Sequence, residues 1–121
     1  MSKSGDRKAA KASVAHWWHQ RVTAVALLPL GLWLAFALAG IDVGTQAALV
    51  AWIGKPLNAI LLGLLATGGA YHSWLGVQVV LEDYVPNPGQ LRFSLTLSLI
   101  VHALVLVACL FAILRVVFGA A

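Results

Sequence analysis

Charge is the scarcest feature of this sequence. Only 10% of its 121 residues are Asp, Glu, Lys or Arg, and 61% are hydrophobic. Soluble domains carry about a quarter charged residues. Twelve ionised side chains cannot clothe a soluble body of this size, so soluble-enzyme readings fall first. Cysteine is almost missing too. Cys109 stands alone in an apolar run, which excludes an intrachain disulfide framework, a cysteine-rich zinc site and a thiolate-held iron–sulfur cluster. No glycine-rich dinucleotide loop occurs, and no fixed-period repeat. The net charge of +4 is no nucleic-acid signal once the charges are placed. Five of the eight Lys/Arg (Lys3, Arg7, Lys8, Lys11 and Arg21) precede the first apolar stretch, as in a cytoplasmic N-terminus.

What the sequence does have is length of hydrocarbon. A helix needs about 20 mostly apolar residues to cross a bilayer. Val22 to Gly40 supplies 19 without a charge, and Leu57 to Leu81 supplies 25. Phe93 to Phe118 is charged only at Arg115, near enough to its end to snorkel. The expected fold is therefore all-α, with three membrane spans at about 22–40, 57–81 and 93–118 in one domain over residues 1–121. Pro29 is expected to kink the first span.

The loop Ile41 to Pro56 carries only Asp42 and Lys55. Within it, Ala47 to Ile53 reads as a short amphipathic segment on the outer surface, with Trp52 half wet at the interface. The second connection, Glu82 to Gln90, is a turn enforced by Pro86 and Pro88. With the N-terminus inside, six Lys/Arg lie within and two (Lys55, Arg115) outside, which gives a cytoplasmic N-terminus and a periplasmic C-terminus. A cleaved signal peptide ending in the Leu34–Gly40 Ala-x-Ala steps is the competing reading of span one. The 21-residue polar lead favours an uncleaved span.

Ionisable residues inside a membrane are functional candidates by default. His72 lies ten residues before Glu82, about 15 Å along a helix and near half the membrane depth. Gly68 and Gly76 stand four residues to either side, and Gly69 and Ser73 widen the small-residue face. Such a stripe leaves room for something flat and wide, as a histidine-ligated haem is. It equally suits plain helix packing, with His72 hydrogen-bonding across the seam. On spacing alone the two readings are even. His102 sits ten residues after Arg92, at a similar depth. It is read as a hydrogen-bonded structural histidine, with an intrachain bis-histidine site as the alternative. No His, Cys or carboxylate stands at i+3 or i+4 from His72, which disfavours zinc or copper. Trp17 and Trp18 read as interfacial anchors or as contacts for a soluble partner.

Asp83 is eleven residues beyond His72, close to three whole turns, and so shares its face wherever the helix persists. The run Tyr71-His72-Ser73-Trp74-Leu75-Gly76, followed by Glu82-Asp83-Tyr84-Val85, resembles the small hydrophobic membrane anchor of succinate dehydrogenase, respiratory complex II. The segment His16-Trp17-Trp18-His19-Gln20-Arg21-Val22-Thr23-Ala24 is similar to that family's approach to its first span. The resemblance runs from His16 nearly to the end of the chain. It implies that His72 is an axial ligand of haem b, the other coming from a second membrane anchor subunit of b-type cytochrome kind. It implies that Tyr84 bonds a ubiquinone carbonyl with Asp83 beside it, and that Arg21 and His16 (or His19 in its place) meet the haem propionates. The implied partners are an iron–sulfur subunit, a flavoprotein subunit and that second anchor, together with membrane lipid, in a bacterial inner membrane. The implied activity is electron transfer from succinate to ubiquinone, with this chain as a non-catalytic anchor. A rival of another class is a small non-redox scaffold or assembly protein, whose glycines only pack helices.

Overall fold

The computed structural model describes residues 3–41 and 44–119. Asp42, the acidic charge expected in the first loop, lies outside them. Among the described residues the chain is all helix: α1 (Lys3–Ala39), α2 (Gln46–Ile53), α3 (Pro56–Tyr84) and α4 (Pro88–Val117). By length and composition α1, α3 and α4 can each cross a membrane. The polar lead is part of α1, which makes one rod of 37 residues, about 55 Å long at 1.5 Å per residue. The reason is local. Asp6 sits in the first turn against the positive end of the helix, and Ala9, Ala10, Ala12 and Ala15 are strong helix formers. Helical structure continues through Pro29, although that residue can donate no backbone hydrogen bond.

Helix α3 is the middle board of the bundle. It packs along α1 and along α4, whereas no Cα of α1 comes within 8 Å of one in α4 among the described residues. Gln20, Thr23 and Leu27 of α1 meet Gly76, His72 and Gly68 of α3, so the two helices run antiparallel. On the other seam Leu110 approaches Gly63, and Ser73 bonds His102.

The connection between α1 and α3 differs from expectation. Residues 46–53 do form a short helix, begun by Thr45 at the N-cap, whose side chain accepts from the Ala48 amide. Yet Gln-Ala-Ala-Leu-Val-Ala-Trp-Ile is apolar nearly all round and has no wet face. Trp52 is only 8% exposed, stacked on Trp33 with ring centroids 5.6 Å apart and planes at 21°. Its carbonyl accepts from Asn58 Nδ2 at 2.8 Å. Trp52 is thus a peg between α2 and α1 and not a half-wet interfacial anchor.

The connection between α3 and α4 is three residues long, Val85, Pro86 and Asn87. Pro88 takes the first turn of α4, where its missing N–H leaves no helical bond unmade. Asn87 is the N-cap, its Oδ1 accepting from the amides of Gly89 (2.9 Å) and Gln90 (3.1 Å). Asn87→Ala is expected to lower stability by about 1 kcal/mol. Asn87→Asp, which keeps the acceptor, should stay close to the parent in thermal unfolding of the purified protein.

Little of this chain is covered by itself. Only Trp52 and Leu75 (3% exposed) are buried apolar residues among those described, while Phe36 (77%) and Phe93 (70%) stand open. In water such a surface would be untenable. It belongs against lipid and other membrane helices.

Candidate functional site

The site starts from one hydroxyl. Thr23 is the sole Ser, Thr or Tyr between Val22 and Gly40. Its Oγ1 lies 2.8 Å from the carbonyl of His19 and 3.1 Å from that of Gln20, the usual back-bond of a mid-helix threonine. It also lies 2.9 Å from Nδ1 of His72. A hydroxyl has one proton. With that proton shared between two carbonyls, which can only accept, Thr23 offers His72 a lone pair, and the imidazole donates from Nδ1. This arrangement favours the tautomer with hydrogen on Nδ1 and a lone pair on Nε2. Among the described residues nothing hydrogen-bonds Nε2 of His72.

His102 ends differently. Its Nδ1 is 2.7 Å from the Ser98 carbonyl and must donate to it. Its Nε2 then accepts from the Ser73 hydroxyl at 3.1 Å. Both nitrogens are engaged, and the residue ties α4 to α3 as the structural reading expected. An intrachain bis-histidine site would require breaking one of these bonds.

The glycine stripe has a filler. A side chain on Gly68 would meet Leu27 Cδ2 at 3.4 Å, and one on Gly76 would meet Gln20 Nε2 at 3.8 Å. The room flanking His72 at these two positions is therefore occupied by α1, in close helix packing. Gly69, one residue off the stripe, meets nothing within 4 Å. Open space lies beside the stripe.

Of the predicted residues on α1, His16 is half-buried and Arg21 exposed. His16 precedes Thr23 by seven residues, so it shares the face turned to α3. Arg21 is two residues from Thr23, about 200° round the helix, and so points to the opposite side of α1. Its guanidinium lies over the Trp17 ring, 5.2 Å from the centroid. The structure does not bring Arg21 and His72 together within this chain. His19 is held by Tyr71, its Nδ1 being 2.8 Å from the phenol oxygen. Trp17 and Trp18 form an edge-to-face pair at 5.2 Å, both exposed.

At its C-terminal end α3 persists to Tyr84, so Asp83 does fall on the His72 face, within about 20°. Asp83 is exposed, and Tyr84 is 80% exposed. Twelve residues separate Tyr84 from His72, about 18 Å of helix axis, so the two sites are distinct. No group of three or more His, Cys, Asp or Glu side chains converges among the described residues. Among the described residues His72 therefore stands outside any such group.

Comparison with known proteins decides the family. Residues 4–114 match the model of the succinate dehydrogenase/fumarate reductase transmembrane subunit. The chain belongs to that family. Among its relatives, the succinate dehydrogenase hydrophobic membrane anchor subunit of Rickettsia typhi is 33% identical over 116 residues, 95% of this chain and 84% of the relative. The subunit of the same name in Rickettsia bellii is 35% identical over 98 residues, 79% and 76% of the two chains. That of Paracoccus denitrificans is 29% identical over 105 residues, 87% and 81%. No solved structure gives a significant match. Family membership and the three long apolar helices together make this a multi-pass membrane anchor protein.

Thr23, quoted in the sequence only as part of the approach to the first span, is the residue that the structure adds beside His72. A signal existed: a solitary hydroxyl in a charge-free apolar span must find partners. Its cross-helix partner became visible only with the pairing of α1 and α3.

Proposed function

We propose that the chain anchors a succinate:ubiquinone oxidoreductase in the bacterial inner membrane, holds haem b jointly with a second anchor subunit, and helps form the quinone site. The observation that carries this reading is the contrast between the two intramembrane histidines. His72 has Nδ1 donated to Thr23 and Nε2 bare, the state of a ligating imidazole, whereas His102 has both nitrogens committed. The donor set fits a haem, because one axial nitrogen comes from this chain and the iron needs a second from elsewhere. Bound there, haem supplies a one-electron redox centre inside the bilayer. His72 would hold it, and the Gly69 flank leaves space next to the ligand. His16, on the α3-facing side of α1, is the better placed of the two residues proposed to meet propionates from within this chain. Arg21 would serve only a group reaching round α1.

Flavin and iron–sulfur chemistry belong to partner subunits, for this chain has neither the cysteines nor the nucleotide loop. The N-terminus lies on the cytoplasmic side in this reading, on the strength of the six-to-two distribution of Lys/Arg. The first turns of α1, with Lys3, Arg7, Lys8 and Lys11, then stand in the inner aqueous phase with Tyr84 and Asp83, where the iron–sulfur subunit docks.

Co-purification tests the assembly. Pulling on this chain from membranes should recover a second small multispan protein and two larger subunits of soluble type, with a b-type absorbance band. Expressed alone it should be unstable, since α3 leaves an open flank at Gly69 and an indole N–H, that of Trp74, with no partner among the described residues. A monodisperse, haem-free monomer in mild detergent would overturn the proposal in favour of a scaffold.

A further inference from the structure

We propose that Thr23 is a positioning residue for haem ligation: its hydroxyl fixes the tautomer and ring orientation of His72 from the neighbouring helix. The proposal deepens the ligand reading of His72 and rests on it. Three contacts carry it, all on one oxygen: 2.8 Å and 3.1 Å to the carbonyls of His19 and Gln20, and 2.9 Å to His72 Nδ1. The two carbonyls use the hydroxyl proton and hold the oxygen in place, so the remaining lone pair faces the imidazole as a fixed acceptor. An imidazole that donates from one nitrogen is a more electron-rich ligand through the other, and it cannot turn freely about its Cβ–Cγ bond. Iron(III) gains more from that electron density than iron(II) does, so the hydrogen bond holds the reduction potential down. The seam around the contact keeps it in register. Leu27 closes on Gly68 one turn to the outer side, and Gln20 on Gly76 one turn to the inner side.

The test uses the intact complex carrying Thr23→Val or Thr23→Ser. Valine has nearly the shape of threonine without the hydroxyl; serine keeps the hydroxyl. The valine variant should show a higher haem midpoint potential and a shifted or broadened low-spin ferric resonance, and the serine variant should return both to the parental values. A purely structural role for Thr23 would lower complex yield without moving the potential. Parental potential and resonance in Thr23→Val would overturn the proposal. Should that variant fail to assemble, nitrogen-15 shifts of labelled histidine in the parent complex decide. A protonated Nδ1 with ligated Nε2 supports the arrangement, and ligation through Nδ1 overturns it. If His72→Ala also leaves the haem spectrum intact, the ligand reading itself has failed. If only the Thr23 variants are silent, that reading stands and the positioning role falls.

Discussion

His72→Ala is expected to abolish or strongly perturb the low-spin b-type spectrum of the complex, while His102→Ala leaves it nearly intact. The expectation rests on where each ring nitrogen is bonded. His72 is the histidine of α3 whose second nitrogen is bare, and its loss would remove one of two axial ligands outright. His102 already commits Nδ1 to the Ser98 carbonyl and Nε2 to the Ser73 hydroxyl. Its removal gives up an interhelical hydrogen bond, worth on average about 0.6 kcal/mol within membranes, which the α3–α4 seam can bear. The optical spectrum of reduced-minus-oxidised membranes reads both variants. Full retention in His72→Ala would remove the residue from the haem site. Loss in His102→Ala would favour an intrachain pair.

Tyr84→Phe should slow succinate:quinone reductase activity about tenfold or more, the effect of losing one well-placed donor to developing negative charge. Succinate oxidation with a soluble dye that bypasses quinone should not change. Tyr84 is the last residue of α3, held there by the turn of Val85, Pro86 and Asn87, and it is 80% exposed. Nothing in this chain occupies its hydroxyl among the described residues. A quinone headgroup suits that depth, because its carbonyls need donors while its tail needs hydrocarbon. Ionised Asp83 cannot donate; beside Tyr84 it can orient a neighbour or pass protons from the inner aqueous phase. The paired assays separate quinone chemistry from assembly. Equal quinone rates in mutant and parent would remove Tyr84 from the site.

The spans were legible because hydrocarbon thickness leaves few solutions for a charge-free run such as Val22 to Gly40. The inner turn was legible because Pro86 and Pro88 permit little else, although α3 runs on to Tyr84 where a longer turn was expected. The His72-to-Asp83 spacing was legible as a shared face, and the helix does persist far enough to make it one. What escaped was everything that depends on which helix lies beside which. Gly68 and Gly76 promise a groove but not its filler, and the filler is Leu27 and Gln20. Trp52 carries the composition of an interfacial anchor, yet Trp33, nineteen residues earlier in the chain, covers it. Arg21 and Thr23 are neighbours in sequence and opposites in space, a consequence of helix rotation that matters only once α3 picks a side.

Helix α3 packs on both long neighbours, and α2 ties the same three helices at one end, packing on α3 and α4 while its Trp52 stacks on Trp33 of α1. Energies of residues that are in contact or share partners do not simply add. The α1–α3 seam, closed by Thr23 on His72, and the α3–α4 seam, closed by Ser73 on His102, meet at consecutive residues of α3 and are therefore coupled there. A group gripped at His72 would be felt next door at Ser73, and through it by the second seam.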